Sequence, residues 1–363
     1  MHTSIPATLA VEGQTRVVHR GRSLIYFGGC DYLRLSVHPA VTAAAGDATA
    51  RGLGVAASRL TTGNDPSLVT CERELARFFQ AEACVLTATG YMANLALGQA
   101  LAGRFTHVLI DERAHVSLRD AAAMMGATVR EFRHVDADGL EKVFLELPSG
   151  AKAVVMTDGM FPLDGVVPPL AEYRSRLGPE VEWWIDDCHA AGTLGQRGRG
   201  SIEYHGGLGK GVYQIITLSK ALGSFGGAVL ADRQTIRELW RKSRSFAGSS
   251  PPPLPLVAAA RQSLRVLAAE PERIKRLQEN GLWVKRRLHE AGILDVVSPG
   301  PMFLVTPKSA SERHRVRRRL LASGIYPSFI HYPGTAEGGA WRFAISSEHR
   351  PVELALLVQA LKG

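Results

Sequence analysis

From about residue 50 to residue 245 the chain alternates short apolar runs with amphipathic stretches, and this alternation limits the possible folds more than any other feature. The runs Cys84–Thr87, His107–Asp111, Val129–Arg133, Ala153–Thr157, Glu182–Asp186, Gln214–Leu218 and Gly227–Leu230 read as strands. Between several of them Cys71–Phe79, Met92–Leu101, Ser117–Met125 and Pro169–Leu177 carry helical spacing. Short apolar strands alternating with helices predict an α/β fold: a mostly parallel seven-stranded sheet with helices on both faces. In such sheets ligands bind outside the carboxyl ends of the strands, which is where chemistry should be sought.

The alternation stops at "SSPPPLP", Ser249–Pro255, because consecutive prolines continue neither helix nor sheet interior. A long helical stretch follows, with a break expected at Pro271. Then Met302–Thr306, His314–Ser323, Trp341–Ser346 and Val352–Leu361 read as strands and helices of a smaller C-terminal α+β domain. The expected division is an N-terminal segment over 1–48, a large domain over 49–247 and a small domain over 248–363. With 363 residues, 45% of them apolar, the chain can bury a large core.

No apolar stretch approaches the roughly 20 residues that span a bilayer. The start, "MHTSIPATLAVEGQTR", lacks the basic opening and apolar block of a secretion signal. Cys30, Cys71, Cys84 and Cys188 form no CxxC pair and no metal-ligand spacing, so they are read as reduced thiols in a cytoplasmic protein without a metal site. A net charge of +9 favours acidic partners, whether nucleic acid, anionic membrane or a phosphate-rich substrate, without choosing among them. The most basic run, "RHRVRRRLL" from Arg313, reads as a solvated helix face or as a landing surface for an anionic carrier. It lacks interleaved aromatic residues, which argues against nucleic acid.

Three clusters could carry chemistry. In "TLSKALGSFGGAV", Thr217–Val229, a single lysine, Lys220, follows an apolar strand and precedes a glycine-rich stretch. In "WWIDDCHAAGTLG", Asp186 and Asp187 close another strand and His189 follows at once; capping or loop solvation is the plain alternative for each. In "TATGYMANLAL", Thr87–Gly90 leads from a strand directly into a helix. Its exposed amides make a phosphate site, compatible with an N-cap by Thr89. A lysine amine, a strand-end carboxylate and a phosphate-ready helix start are together what pyridoxal 5'-phosphate requires.

At this point the chain resembles a known family, the α-oxoamine synthases of the fold-type I pyridoxal phosphate enzymes. Six blocks carry the resemblance in order: "SRLTTGNDP", "ATGYMANLALGQALAG", "DERAHVSLRDAA", "MTDGMFPLDGVVPPL", "DDCHAAGTLGQRGRGS" and "TLSKALGSFGG". Such enzymes condense an amino acid with an acyl thioester and lose carbon dioxide. Within the family the likeness is greatest to the biotin-pathway member that uses alanine and a pimeloyl thioester.

The resemblance implies roles. Lys220 becomes the Schiff-base lysine, Asp186 the partner of the pyridine nitrogen, and His115 the residue stacked on the ring and facing the substrate. His189 bonds the ring oxygen or the reacting carbonyl. Thr89, Gly90, Tyr91, Thr217 and Ser219 serve the phosphate, and Ser249 reaches the phosphate of the neighbouring subunit. Asp158 lies near the substrate, and Arg342 holds the amino acid's carboxylate. A homodimer with its active site at the subunit interface is implied, taking an amino acid and an acyl-CoA or acyl-carrier protein, with no nucleic acid and no membrane span.

Cys188 reads as a small buried filler, and Trp183 and Trp184 as core. Departures from the family pattern are Cys30, Arg34, Asp65, Pro162 and the tail "YPSFIHYPGTAEGGAWRF"; they bear on the acyl substrate more than on the chemistry. The competing classes are another fold-type I enzyme, an aminotransferase or aldolase-like lyase, and a non-catalytic protein on a degenerate enzyme fold.

Overall fold

The computed structural model describes residues 7–332 and 334–363. The first six residues of the N-terminal stretch and Pro333 of the tail segment lie outside the described residues.

The chain opens with three antiparallel strands, β1 (Ala10–Glu12), β2 (Arg16–His19) and β3 (Arg22–Ile25). Helices α1 (Pro39–Ala48) and α2 (Pro66–Phe79) lead into the central sheet. Its strands are β4 (Ala83–Thr87), β5 (His107–Asp111), β6 (Thr128–Phe132), β7 (Ala153–Asp158), β8 (Glu182–Asp186), β9 (Val212–Thr217) and β10 (Gly227–Ala231). They lie in the order β4-β10-β9-β8-β7-β5-β6. Six strands run parallel to one another, and β10 is antiparallel to both its neighbours. The reason is connection length. The parallel strands are joined through helices, whereas β9 reaches β10 through residues 218–226 alone, enough for an antiparallel return but not for a crossover.

Helices cover both faces. On one, α3 (Gly90–Ala100), α4 (Val116–Met124) and α8 (Arg233–Lys242) pack over a cluster that includes Trp184; on the other, α5 (Ala137–Leu145) and α6 (Leu170–Leu177) pack over one that includes Trp183. Consecutive side chains on a strand point to opposite faces, so the paired tryptophans supply one large apolar group to each layer. Both are fully buried, as are all six residues of β7. A strand covered on both faces reads as an unbroken apolar run.

After the short helices α7 (Ser201–Tyr204) and α9 (Arg244–Gly248), helix α10 starts at Leu254, inside the stretch expected to break all regular structure. Pro255 falls in its first turn, where a missing N–H costs nothing. Pro271 is the N-cap of α11 (Glu272–Glu290) and separates it from α10 (Leu254–Ala269), as the sequence predicts. The C-terminal part follows as β11 (Met302–Val305), α12 (Ala310–Ala322), β12 (Phe329–Ile330), β13 (Ala340–Ala344) and α13 (Pro351–Lys362), with sheet order β11-β13-β12. Ile25 and Phe27 belong to the core of this part, so the N-terminal strands pack with the C-terminal sheet. The basic run lies on α12. Among the described residues no helix is long and apolar enough to cross a membrane.

The registers place the site. Asp158 is opposite Asp186, and Gly227 is opposite both Thr87 and Thr217. The carboxyl ends of β4, β7, β8 and β9 therefore share one edge, with the start of β10 between β4 and β9.

Candidate active site

At that edge lies a cavity of about 160 Å³, lined by residues that include Thr89, Gly90, Tyr91, His115, Asp158, Asp186, His189, Thr217, Ser219 and Lys220. Ten of the residues the sequence singles out are thus brought together; Ser249 and Arg342 are not among them. Ser117 and Cys188 complete the wall.

Lys220 sits three residues beyond the end of β9, half-buried, and its amine has no hydrogen bond or ion pair among the described residues. The two strand-end aspartates divide their work. Asp187 is committed to the scaffold: it accepts from the Ser201 amide at 3.0 Å, the Ser201 hydroxyl at 2.5 Å and the Gln214 amide group at 2.7 Å, and burial pushes its pKa to about 7. Asp186 faces the cavity. Its carboxylate accepts from Asn94 Nδ2 at 2.7 Å and from the Cys188 amide at 3.0 Å, which fixes its plane and leaves lone pairs for a ligand.

Asn94 is a residue the sequence reasoning missed. It is fully buried on α3, also donates to Ser117 Oγ at 2.9 Å, and accepts from Trp184 Nε1 at 2.9 Å. Its signal was a lone amide in an apolar helix, one turn after Gly90.

His115 caps α4, with Nδ1 2.7 Å from Ser117 Oγ. Its backbone amide donates to Asp158 at 2.8 Å. Burial and the nearby Asp186 hold the Asp158 carboxyl well above the usual range, with the His115 amide pulling the other way. Burial lowers the His115 pKa, opposed by Asp186.

His189 is held well below the ordinary histidine value, by burial first and then by the charges of Lys220 and Arg342. It is a neutral ring, with Nδ1 2.7 Å from the hydroxyl of Tyr32. Burial keeps that phenol protonated; in the tautomer where it donates to Nδ1, the ring proton sits on Nε2. Tyr32 is the second residue the sequence missed.

Arg342, on β13, stands behind Tyr32 rather than in the cavity wall. Its Nε and Nη2 donate to the Pro162 carbonyl at 2.9 and 2.8 Å, and Cys30 and Tyr32 lie against its guanidinium. At Pro162 it is thus the backbone that serves the site. Arg34, one of the departures, has a left-handed backbone, φ 52°, a conformation that glycine adopts without strain. Asp65 caps α2 by accepting from the Ser67 amide at 2.7 Å. Ser249 lies outside the cavity, with its hydroxyl donating to the Ser245 carbonyl at 2.5 Å.

The phosphate end is built by close approach. Thr89 caps α3 by accepting from the Met92 amide, and Gly90 begins the helix. A Cβ on Gly90 would stand 2.9 Å from Cys188 Sγ, and one on Gly227 would meet the Thr89 carbonyl carbon at 2.3 Å. Only glycine lets these backbones close around an anion at a helix start. Thr217 Oγ1 and Ser219 Oγ, 2.8 Å apart, add hydroxyls at the same end. An amine with no partner among the described residues, a fixed carboxylate and an anion cradle in one cavity fit pyridoxal phosphate.

Comparison with known proteins agrees. The model of the class I and II aminotransferases matches residues 23–361. The chain is 35% identical over 353 residues to a putative 8-amino-7-oxononanoate synthase of Desulforudis audaxviator, covering 96% of this chain and 91% of that one. It is 36% identical to the 8-amino-7-oxononanoate synthase of Methylococcus capsulatus, covering 96% and 90%. Among solved structures it is similar to the serine palmitoyltransferase of S. paucimobilis with bound PLP–myriocin aldimine, at a TM-score of 0.89 and 26% identity over 98% of this chain and 91% of that one. The serine palmitoyltransferase of Sphingomonas wittichii gives a TM-score of 0.90 at 25% identity with the same coverage. The chain belongs to the class I and II aminotransferase family and, within it, to the pyridoxal phosphate-dependent α-oxoamine synthases.

Proposed function

We propose that this protein condenses L-alanine with a pimeloyl thioester, the 8-amino-7-oxononanoate synthase reaction of biotin biosynthesis. A carbon–carbon bond forms between the amino acid's Cα and the acyl carbonyl carbon, the carbon–sulfur bond breaks and the thiol leaves, and the amino acid's carboxylate departs as carbon dioxide. The observation that carries the reading is Lys220, an amine with no partner among the described residues, in the same cavity as Asp186 and the α3 helix start.

Lys220, Asp186 and the start of α3 with Gly90, Tyr91, Thr217 and Ser219 would hold the cofactor, and His115 would cover its ring. Bound pyridoxal phosphate supplies the electron sink that makes the Cα proton removable. The Lys220 amine, carried three residues beyond the β9 strand end, would be placed to take that proton. Arg342 receives the amino acid's carboxylate. His189, through its Nε2 proton, donates to the oxygen of the acyl carbonyl, and Tyr32 fixes that tautomer. Asp158 sets His115 by accepting its amide.

The active form is a homodimer, with Ser249 serving the partner's phosphate site; its place outside its own cavity agrees with that role. The large domain over 49–247 carries the cofactor, and the small domain over 248–363 with the arm 1–48 brings Arg342 and Tyr32. A related reading, serine or glycine with another acyl-CoA or acyl-carrier protein, draws on the similarity to serine palmitoyltransferases.

The test is free-thiol release from pimeloyl-CoA with alanine, glycine and serine run side by side. Release that requires alanine and vanishes in Lys220→Ala is expected. Release with serine or glycine in preference to alanine would move the protein to the related reading, and no release with a loaded cofactor would remove the thioester chemistry.

A further inference from the structure

The chemistry above leaves one buried lysine without a task. Lys285 lies within α11, fully buried. Its ammonium reaches the carbonyl of Ser298 at 2.6 Å, the hydroxyl of Ser298 at 2.9 Å and the carbonyl of Gly300. Three acceptors around one nitrogen call for three N–H donors, so this geometry is that of the charged form. A buried ammonium costs several kcal/mol to desolvate, and a methionine of similar length would fill the space without that cost.

What the lysine holds together lies close to the candidate site. The Ser298 hydroxyl donates onward to the Asp164 carbonyl at 2.7 Å, and the Gly300 amide donates to the Gly165 carbonyl at 3.0 Å. Asp164 and Gly165 belong to a tight turn, Phe161–Val166, closed by Phe161 N to Val166 O at 2.9 Å and Gly165 N to Phe161 O at 3.1 Å. From the same turn the Pro162 carbonyl takes both bonds from Arg342. Helix α11, segment 298–300, the turn and Arg342 thus form one hydrogen-bonded chain, with Lys285 at its buried end. Asp164 is also the acidic group whose charge acts on Lys285. None of these links touches Lys220, Asp186 or the start of α3.

We propose that Lys285 is a positioning residue for the amino-acid site: its ammonium locks segment 298–300 against the Phe161–Val166 turn, and the turn's Pro162 carbonyl sets the attitude of Arg342. The inference rests on Arg342 being the group that receives the amino acid's carboxylate. Without the ammonium, the Ser298 and Gly300 carbonyls lose their donor, the turn loses its backing, and Arg342 loses a fixed acceptor. Amino-acid binding weakens while the cofactor's own contacts stay as they are.

The experiment uses holoenzyme carrying Lys285→Met, assayed at pH 6.5. L-Alanine is titrated against the visible absorbance of the bound cofactor without thioester, and KM and kcat are then measured for both substrates. The expected result is a half-saturation for alanine raised about tenfold, the size of one charge-assisted hydrogen bond. The resting spectrum, the KM for the thioester and kcat should stay within about threefold of wild type. Ser298→Ala, which removes only the bridging hydroxyl, should move alanine in the same direction by a smaller factor, and it decides the matter if Lys285→Met does not fold. Unchanged alanine binding in the folded variant, or a parallel loss of every parameter, overturns the inference. A wild-type holoenzyme whose spectrum ignores alanine but answers another amino acid overturns the choice of substrate instead, and the same comparison is then made with that amino acid.

Discussion

Asn94→Ala tests how the site is held. The side chain is fully buried and makes three hydrogen bonds: to the Asp186 carboxylate at 2.7 Å, to Ser117 Oγ at 2.9 Å and from Trp184 Nε1 at 2.9 Å. Removing it leaves the Trp184 indole N–H buried without an acceptor, at about 1–3 kcal/mol, and deletes a bond to a charged group worth about 1.5–3 kcal/mol. A net loss of about 2–5 kcal/mol follows, below the simple sum because these terms overlap. The functional loss is separate. Asp186 loses its side-chain amide donor, keeps only donors from Cys188 among the described residues, and can swing out of plane. Misplacement of that order costs about tenfold or more in kcat. Urea unfolding followed by tryptophan fluorescence gives the first number, and thiol release with saturating substrates the second. Ser117→Ala is the comparison variant: it removes the hydroxyl's two neutral bonds, to Asn94 and His115, at about 1 kcal/mol each, and leaves the Asn94–Asp186 bond in place. If Asn94→Ala costs less than about 1 kcal/mol and leaves kcat unchanged, the reasoning about Asp186 is wrong.

Three further outcomes are expected. Gly227→Ala puts a methyl 2.4 Å from the Gly90 amide nitrogen, so the phosphate turn must move; cofactor retention after dialysis, read by visible absorbance, should fall about tenfold or more, and full retention would refute the cradle. Tyr32→Phe keeps the ring's packing but removes the hydroxyl beside His189, so kcat/KM should fall about tenfold and urea stability by about 1–3 kcal/mol, while wild-type kinetics would show that the tautomer needs no fixing. Burial holds the Lys285 pKa at about 7 against 10.5 for the free side chain, with Asp164 opposing. Between those values the unfolded chain carries the extra proton, so stability rises with pH across that window. The wild-type-minus-Lys285→Met difference should therefore grow from pH 7 to pH 9 by up to about 1.4 kcal/mol per unit, and a flat difference would contradict the burial argument.

The parts legible in the sequence are those where burial left little choice. All seven strands of the central sheet were readable to within two residues, because strands covered on both faces become unbroken apolar runs. Strands β1–β3 were not: β1 is wholly exposed and carries no apolar pattern. Helix α8 was missed for the related reason that it buries only Thr235, Ile236 and Leu239 in a polar stretch. Lys220, Asp186 and the Thr89–Gly90 turn could be found because each ends or follows a readable strand. Composition could not choose between Asp186 and Asp187; the family resemblance did, and the structure gives the cause in Ser201 and Gln214, which claim Asp187. Tyr32 stayed silent because its partner His189 is 157 residues away. Arg342 was found by resemblance alone. It is held by a backbone carbonyl, which any residue at position 162 supplies, so the departure at Pro162 says little about it.

The central claim is a decarboxylative condensation, and carbon dioxide counted against thiol tests it most directly. L-Alanine labelled with ¹³C in its carboxyl group is incubated with pimeloyl-CoA and the holoenzyme, and both products are followed in one vessel. The account predicts labelled carbon dioxide and free thiol in equal amounts, both abolished in Lys220→Ala. Thiol without labelled carbon dioxide, or amino-group transfer to a keto acid with neither product, would contradict it.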